Sequence, residues 1–542
     1  MARYIFVTGG VMSGLGKGIV TSSIARLLKS RGYKVTAVKI DPYVNIDAGT
    51  MRPTEHGEVW VTEDGGEIDQ DFGHYERFLC EPIGKSHNIT TGQIYREVIS
   101  RERRGEYLGS TVQVIPHVTN EIKRRIETAA GSKKADFCLV EIGGTVGDYE
   151  NVLFLEAARQ MGRELGDSCS RKEKVCFVHV SYVPIPDKLG EPKTKLTQQS
   201  VRLLREIGIM ADVIICRSRY PLDDVRKKKI SLFCDVCEKD VISNPDIETV
   251  YELPVIFERQ GLSERILDRF GLPARKLELD EWTKRVEVIK NPGRRVSIGI
   301  VGKYIDSGNF TLKDSYISVE ESIKHACAKL GVGCGIAWVN AKNIGEAELS
   351  GVSGLIVPGG FGSAGVEGKI QAIRQARESK LPFLGLCFGL QMAVVEYARN
   401  ACGLVGANST EIDPATKYPV VDILPEQKGV KDKGATMRLG SHPAVLKNGT
   451  RVYESYLAAG LLSSKGVAYE RHRHRYEVNP AFHKLLQDKG LVFSGVSPDR
   501  KLVEFIELPG HPYFVATQAH PEFKSNLLHP APLFLGFVKA CL

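Results

Sequence analysis

No stretch of about 18 consecutive apolar residues occurs in the 542-residue chain, so no transmembrane helix is expected. The opening "MARYIFVTGG" has too short an apolar segment and no cleavage pattern for a secretory leader; it reads as a first β-strand. Charge of one sign is also missing in quantity. A net charge of +8 is small over this length, and the basic clusters "RERRGEY", "VRKKKI" and "ERHRHRYE" are short and scattered. They suit anionic small ligands better than a duplex, so neither nucleic acid nor a membrane is expected as a partner. A disulfide framework is not expected either: the 12 cysteines come without a secretory segment, which favours reduced thiols and a cytoplasmic setting. The lone C-x-x-C at Cys234 and Cys237 lacks a second pair and a histidine at zinc-finger spacing, so metal-free thiols are favoured over structural zinc.

What is present is an ordinary globular composition, 42% hydrophobic and 25% charged, on a chain too long for a single core. In the first half, apolar runs ("YIFVTGG", "KVTAVKID", "DFCLVEIGG", "KVCFVHVSYVP", "ADVIICRS") alternate with helical stretches. Runs that are apolar throughout predict strands covered on both faces, hence a parallel α/β sheet over 1–272. Residues 273–295 are charged, lack a strand and end near Asn-Pro-Gly; they read as a linker carrying some helix. The rhythm restarts at "VSIGIVGKY", predicting a second α/β domain over 296–542, with a polar surface insertion at 426–434. The fold class expected is therefore α/β, with two doubly wound parallel-sheet domains.

In the second half, "GLCFGLQ" (385–391) places Cys387 between a strand and a helix. A helix amino terminus aimed at the sulfur favours thiolate, and the strand–turn–helix context predicts a nucleophile elbow with its sulfur exposed above the sheet. "IVPGGFG" (356–362) offers amides for an oxyanion, and "ATQAHPEF" (516–523) offers His520 with Glu522 two residues on, on the same side of an extended chain. Together these residues resemble class I glutamine amidotransferases. The resemblance implies that Cys387 attacks the glutamine amide, Gly360 helps bind the oxyanion, and His520 with Glu522 moves protons, releasing ammonia.

In the first half, "VTGGVMSGLGKG" (7–18) follows the first strand and opens the first helix, with Lys17 able to reach terminal phosphates: a P-loop-like nucleotide site. Its spacing is one residue longer than the strict motif, and Gly18 stands where a magnesium-binding hydroxyl would be. Asp71, in an acid-rich stretch, and Glu141, ending an apolar run, are then the candidate hard ligands for Mg2+. "KTKLTQ" (193–198) and "RKKKI" (226–230) suit a second triphosphate. Spacing by itself reaches an ATP-using enzyme coupled to a glutaminase. It leaves open an amidotransferase acting on another substrate and a non-catalytic nucleotide-gated assembly protein.

The stretches "FVTGGVMSGLGKG", "KIDPYVNIDAGTMRP", "HGEVWVTEDGGEIDQDFGHYERF", "RRGEYLGSTVQVIPHVTNEI", "VEIGGTVGDYE" and "RHRHRYEVN" resemble the CTP synthase family over essentially the whole chain. The resemblance implies a synthetase domain followed by an amidotransferase domain, and ATP-dependent amination of UTP through a 4-phosphorylated intermediate. It implies that Gly14, Leu15, Gly16, Lys17, Gly18 and Ile19 bind ATP, with Lys17 catalytic, Asp71 beside the phosphates, Lys39 a further phosphate-facing group, and Asp246 and Ile247 near adenine. UTP and the inhibitor CTP would meet Ser13, Asp148, Tyr149, Glu150, Lys193, Thr194, Lys195, Leu196, Thr197, Gln198 and Lys229. Glutamine would meet Gly360, Phe388, Gly389, Leu390, Gln391, Glu411 and Arg475. Activation by GTP, an internal ammonia passage and homotetramers that can stack into filaments are implied as well.

Overall fold

A computed structural model describes the chain apart from residues 1, 52–56, 167–173, 189, 303–305, 308–309, 312–315, 342–348, 361, 364, 425–426 and 428–435. The insertion expected at 426–434 thus lies outside the described residues except for Gln427. Two compact units form: Met1–Asp47 with His74–Val286, and Ala48–Gly73 with Glu287–Leu542.

The first unit is built on a seven-stranded sheet. Its order is Asn88–Thr90, Val35–Asp41, Phe137–Ile142, Arg3–Gly9, Val175–Tyr182, Val213–Ser218 and Val241–Pro245, and every neighbouring pair is parallel. Val35–Asp41 and Phe137–Ile142 are buried at every position, as runs without polar alternation require when helices cover both faces. Parallel neighbours need crossovers, and the helices Lys17–Ser30, Thr119–Ser132, Val152–Leu165 and Lys195–Glu206 supply them. The central strand Arg3–Gly9 delivers its loop to the carboxyl edge of the sheet. There Val7 lies in register with Glu141 on one side and Val178 on the other.

The second unit carries a nine-stranded sheet in the order Gly333–Asn340, Arg295–Gly302, Gly354–Val357, Phe383–Leu386, Phe514–Thr517, Val503–Glu507, Val492–Val496, Arg438–Leu446 and Val467–His474. The first five strands are parallel; the remaining four continue antiparallel. Reading apolar runs did not separate these two halves. The join is set by connection length: the short stretch 508–513 between Val503–Glu507 and Phe514–Thr517 is too brief for a crossover helix, so the chain folds back as a hairpin.

Two features concern the stretches between the sheets. Within 273–295 the helix Asp280–Lys290 buries Trp282, whose indole N–H donates to the Tyr251 carbonyl at 2.7 Å. Within 48–73, Val59–Val61 and Glu67–Asp69 form an antiparallel hairpin that belongs to the second unit although its flanks belong to the first. Among the described residues no helix is long and apolar enough to cross a membrane.

Candidate active site

The phosphate loop begins where the buried strand Arg3–Gly9 ends, and the helix Lys17–Ser30 starts on Gly16 in the left-handed region (φ 81°). Ser13 and Gly14 are exposed. Lys17, 9% exposed, donates from Nζ to the Gly144 carbonyl at 2.8 Å, which ties the loop to the glycine turn after Glu141. Its stem runs over Gly9 so closely that a Cβ there would lie 2.6 Å from Lys17 Cδ.

Behind the loop, buried His179 bridges Thr8 Oγ1 (2.9 Å) and Ser200 Oγ (2.6 Å). Burial, reinforced by the charge of Lys17, pushes this imidazole down to about 3, so it stays neutral and acts as a hydrogen-bonded strut. Sequence reasoning missed this histidine, because a polar residue inside an apolar strand announces burial without naming its partners.

Glu141 is 1% exposed at the end of its strand. It lies in register with Lys39, whose Nζ is 3.0 Å from its carboxylate and 3.7 Å from Asp41, and it also accepts from the Tyr75 hydroxyl. A carboxylate offers the hard oxygen donors that a divalent cation takes, and in Glu141 both oxygens are engaged, one by Lys39 and one by Tyr75. Asp71 opens the helix Asp71–Leu79, and its backbone N–H is capped by Asp69 at 3.1 Å. It falls in the segment that groups with the second unit.

In the second unit Cys387 sits between the strand Phe383–Leu386 and the helix Phe388–Asn400 at φ 50°, ψ −101°. A non-glycine residue in this sparsely populated region stores of order 1–3 kcal/mol and is a signature of nucleophile elbows. The tight passage explains one neighbour: a Cβ on Gly389 would meet the Val357 carbonyl oxygen at 2.0 Å. The thiol is not exposed above the sheet as the motif suggested. Cys387 is 3% exposed, because the Arg473 carbonyl (3.8 Å) and the Gln518 amide (3.7 Å) close around its sulfur.

His520 Nδ1 lies 2.7 Å from Glu522 Oε1, and its ring stacks on Phe523 at 5.1 Å and 16°. A Cβ added at Gly359 would fall 2.8 Å from His520 Cε1 and 3.7 Å from Cys387 Cβ, so the glycine strand end, the thiol and the imidazole converge. Burial disfavours the imidazolium, but the Glu522 carboxylate and the Cys387 sulfur outweigh it and push His520 up to about 10. The geometry supports a thiol–imidazole–carboxylate group able to generate a nucleophile and shuttle a proton.

Comparison with known proteins matches two family models along the chain. Residues 3–272 match the family model described as CTP synthase N-terminus, and residues 311–540 match glutamine amidotransferase class-I. A curated CTP synthase of Caldanaerobacter subterraneus is 53% identical, covering 100% of this chain and 98% of its own length. That of Bacillus subtilis is 50% identical with the same coverage. The chain belongs to the CTP synthase family. A solved structure, the Trypanosoma brucei CTPS glutaminase domain with bound acivicin, is 35% identical over 45% of this chain and 93% of that one, with a TM-score of 0.41.

For a CTP synthase family member, the remaining expected residues fall as follows. Thr194 caps the helix Lys195–Glu206 and accepts from Gln198 Nε2 at 3.1 Å. Thr197 is buried against Ser181 Oγ and the Tyr182 carbonyl, both at 3.2 Å, so its hydroxyl pins the helix to its strand. Lys193 pairs with Glu191, which also binds Arg226 at 3.0 Å; Lys229 stands exposed on Asp224–Cys234. Asp148 accepts from the Thr145 N–H at 2.6 Å, while Tyr149 and Glu150 are exposed beyond it. Asp246 is paired with Arg217 at 2.7 Å.

On the glutamine side, Glu411 accepts from the Gly362 N–H at 2.8 Å, and Gln391 donates to the Tyr476 carbonyl at 3.0 Å. Arg475 donates to Thr436 Oγ1 at 2.9 Å and to Gln427. The Phe388 ring carries the buried Lys369 ammonium 5.0 Å from its centroid, a contact the motif did not foretell. Cys234 is buried, its thiol pushed up to about 11 by that burial, whereas Cys237 is exposed.

Proposed function

We propose that the chain aminates UTP to CTP, with ATP activating the pyrimidine and glutamine supplying nitrogen. The observation that carries this reading is the pairing, along one chain matched end to end by CTP synthases, of a phosphate loop with Lys17 and a Cys387 thiol that converges with a His520–Glu522 pair held at 2.7 Å. Cys387 attacks the glutamine carboxamide carbon, backbone amides near Gly360 receive the oxyanion, and the His520 imidazolium gives its proton to the departing amine. Water then hydrolyses the glutamyl thioester, with His520 as base. Glu411, Gln391 and Arg475 hold the glutamine.

In the other half Ser13 to Ile19 cradle ATP, and Lys17 offsets charge as the γ-phosphoryl moves to the UTP 4-oxygen. Ammonia then displaces that phosphate. UTP lies on Lys193 to Gln198 with Lys229, product CTP is recognised by Asp148, Tyr149 and Glu150, and adenine lies near Asp246 and Ile247. Glu141 and Asp71 would each offer a carboxylate to magnesium, which would neutralise phosphate charge. Regulation by GTP, a homotetramer able to form filaments, and residence in the cytoplasm complete the reading.

Supplying glutamine labelled with ¹⁵N in its side-chain amide, together with ATP, UTP and magnesium, tests it. The label is expected at the exocyclic nitrogen of CTP; label found only in free ammonium while UTP is unconsumed would sink the proposal.

A further inference from the structure

The hairpin Val59–Val61/Glu67–Asp69 is far in sequence from the thiol group yet packs in the same unit. Trp60 is fully buried, with its ring 5.0 Å from Phe523, the residue on which His520 stacks. The strand Val467–His474 supplies the backbone of the site: the Arg471 carbonyl accepts from the His520 N–H at 2.8 Å, and the Arg473 carbonyl stands 3.8 Å from the Cys387 sulfur.

The side chains of those same two arginines reach the hairpin. Arg471 donates to the Val61 carbonyl (3.0 Å) and to Glu63 (3.1 Å), with its guanidinium 5.5 Å from the Trp60 ring centroid. Arg473 donates to Glu67 at 2.8 Å, where the carboxylate is wholly buried. The hairpin loop is itself pinned, since the Glu63 carbonyl accepts from the Ser441 N–H at 2.9 Å.

We infer that this hairpin sets the mutual geometry of Cys387 and His520, with Trp60 and Glu67 as positioning residues for glutamine hydrolysis. The inference rests on the roles of Cys387 and His520 proposed above. Buried ion pairs leave an uncompensated charge when one partner is lost, so removing Glu67 is expected to displace the Arg473 side chain. Trp60 fixes the plane of Phe523 and through it the imidazole. The segment is far from the rest of its unit along the chain, yet its hairpin packs within the unit that holds Cys387 and His520.

The test uses the full-length protein and follows four quantities. These are alkylation of Cys387 by iodoacetamide, read by mass spectrometry of its peptide; kcat and KM for glutamine hydrolysis; and CTP formation from ammonium salts. A displacement of about 1 Å can cost on the order of a hundredfold in rate. Trp60→Ala is therefore expected to lower both the alkylation rate and the hydrolytic kcat about tenfold or more. KM for glutamine and the ammonium-driven rate should stay within about twofold, and Trp60→Phe should recover most of the loss.

Unchanged alkylation and kcat in Trp60→Ala, or an equal fall in the ammonium-driven reaction, would overturn the inference. If Trp60→Ala does not fold, Glu67→Gln is put through the same assays, and an unchanged alkylation rate there overturns it equally. Alkylation needs no turnover, so it decides the positioning role even if the parent protein fails to aminate UTP, a result that would count against the proposed function instead.

Discussion

At the scale of single residues, the decisive quantity is the proton on His520. Its folded-state pKa, about 10, lies above the ordinary 6.5, so the imidazolium persists through neutral pH beside the Cys387 sulfur. A cation held there stands ready to give its proton to a leaving group. Glu522→Gln removes the larger of the two attractions that raise this pKa. The imidazole of the variant should titrate much nearer its ordinary value, and Cys387 alkylation at pH 8 should fall about tenfold, as expected when the imidazole beside the sulfur loses the carboxylate that orients it. Stability follows the same proton. A group whose pKa rises on folding contributes stability that is complete below about pH 6.5 and is lost as pH climbs through about 10. The difference in Tm between parent and Glu522→Gln should accordingly be larger at pH 6 than at pH 10; a constant difference would contradict the assignment of the proton.

At the scale of elements, two close approaches decide what the turns tolerate. The elbow Phe383–Leu386/Phe388–Asn400 brings Gly389 against the Val357 carbonyl, and a methyl group 2.0 Å from a backbone oxygen cannot be relieved by rotating a side chain. Gly389→Ala should destabilise the protein by at least about 2 kcal/mol, measured by chemical denaturation, and should lower glutaminase activity beyond that loss. In the phosphate loop the clash is softer. Alanine at Gly9 presses on the Lys17 stem rather than on backbone, so the lysine moves while the fold survives. The expected result is a loss of about tenfold or more in ATP-dependent CTP formation with Tm nearly unchanged.

For the whole molecule, the division into two units predicts that the two chemistries come apart by mutation. Cys387→Ala should abolish CTP formation from glutamine yet preserve it from ammonium salts. Lys17→Ala should abolish both, since a phosphoryl-transfer lysine commonly contributes several kcal/mol at the transition state. Parallel assays with the two nitrogen sources check this, and a Cys387→Ala variant that keeps its glutamine-driven rate would remove the thiol from the mechanism.

The alternation of apolar runs with helical stretches, the glycines around Lys17 and Cys387, and the pair His520–Glu522 were all legible in the chain, because each depends on neighbours a few residues away. Strand burial and turn chemistry are local consequences of backbone geometry; the His520–Glu522 pair forms across the short helical turn Pro521–Lys524, not along the extended chain expected. Contacts between distant segments were not legible. Nothing near Glu141 announces Lys39 or Tyr75, nothing near Lys17 announces the His179 strut, and nothing in "HGEVWVTEDGG" says that Trp60 will back the ring beneath His520. The antiparallel half of the second sheet and the burial of the Cys387 thiol belong with these. They follow from which surfaces meet once the chain has folded, and that is settled by packing across hundreds of residues rather than by any local pattern.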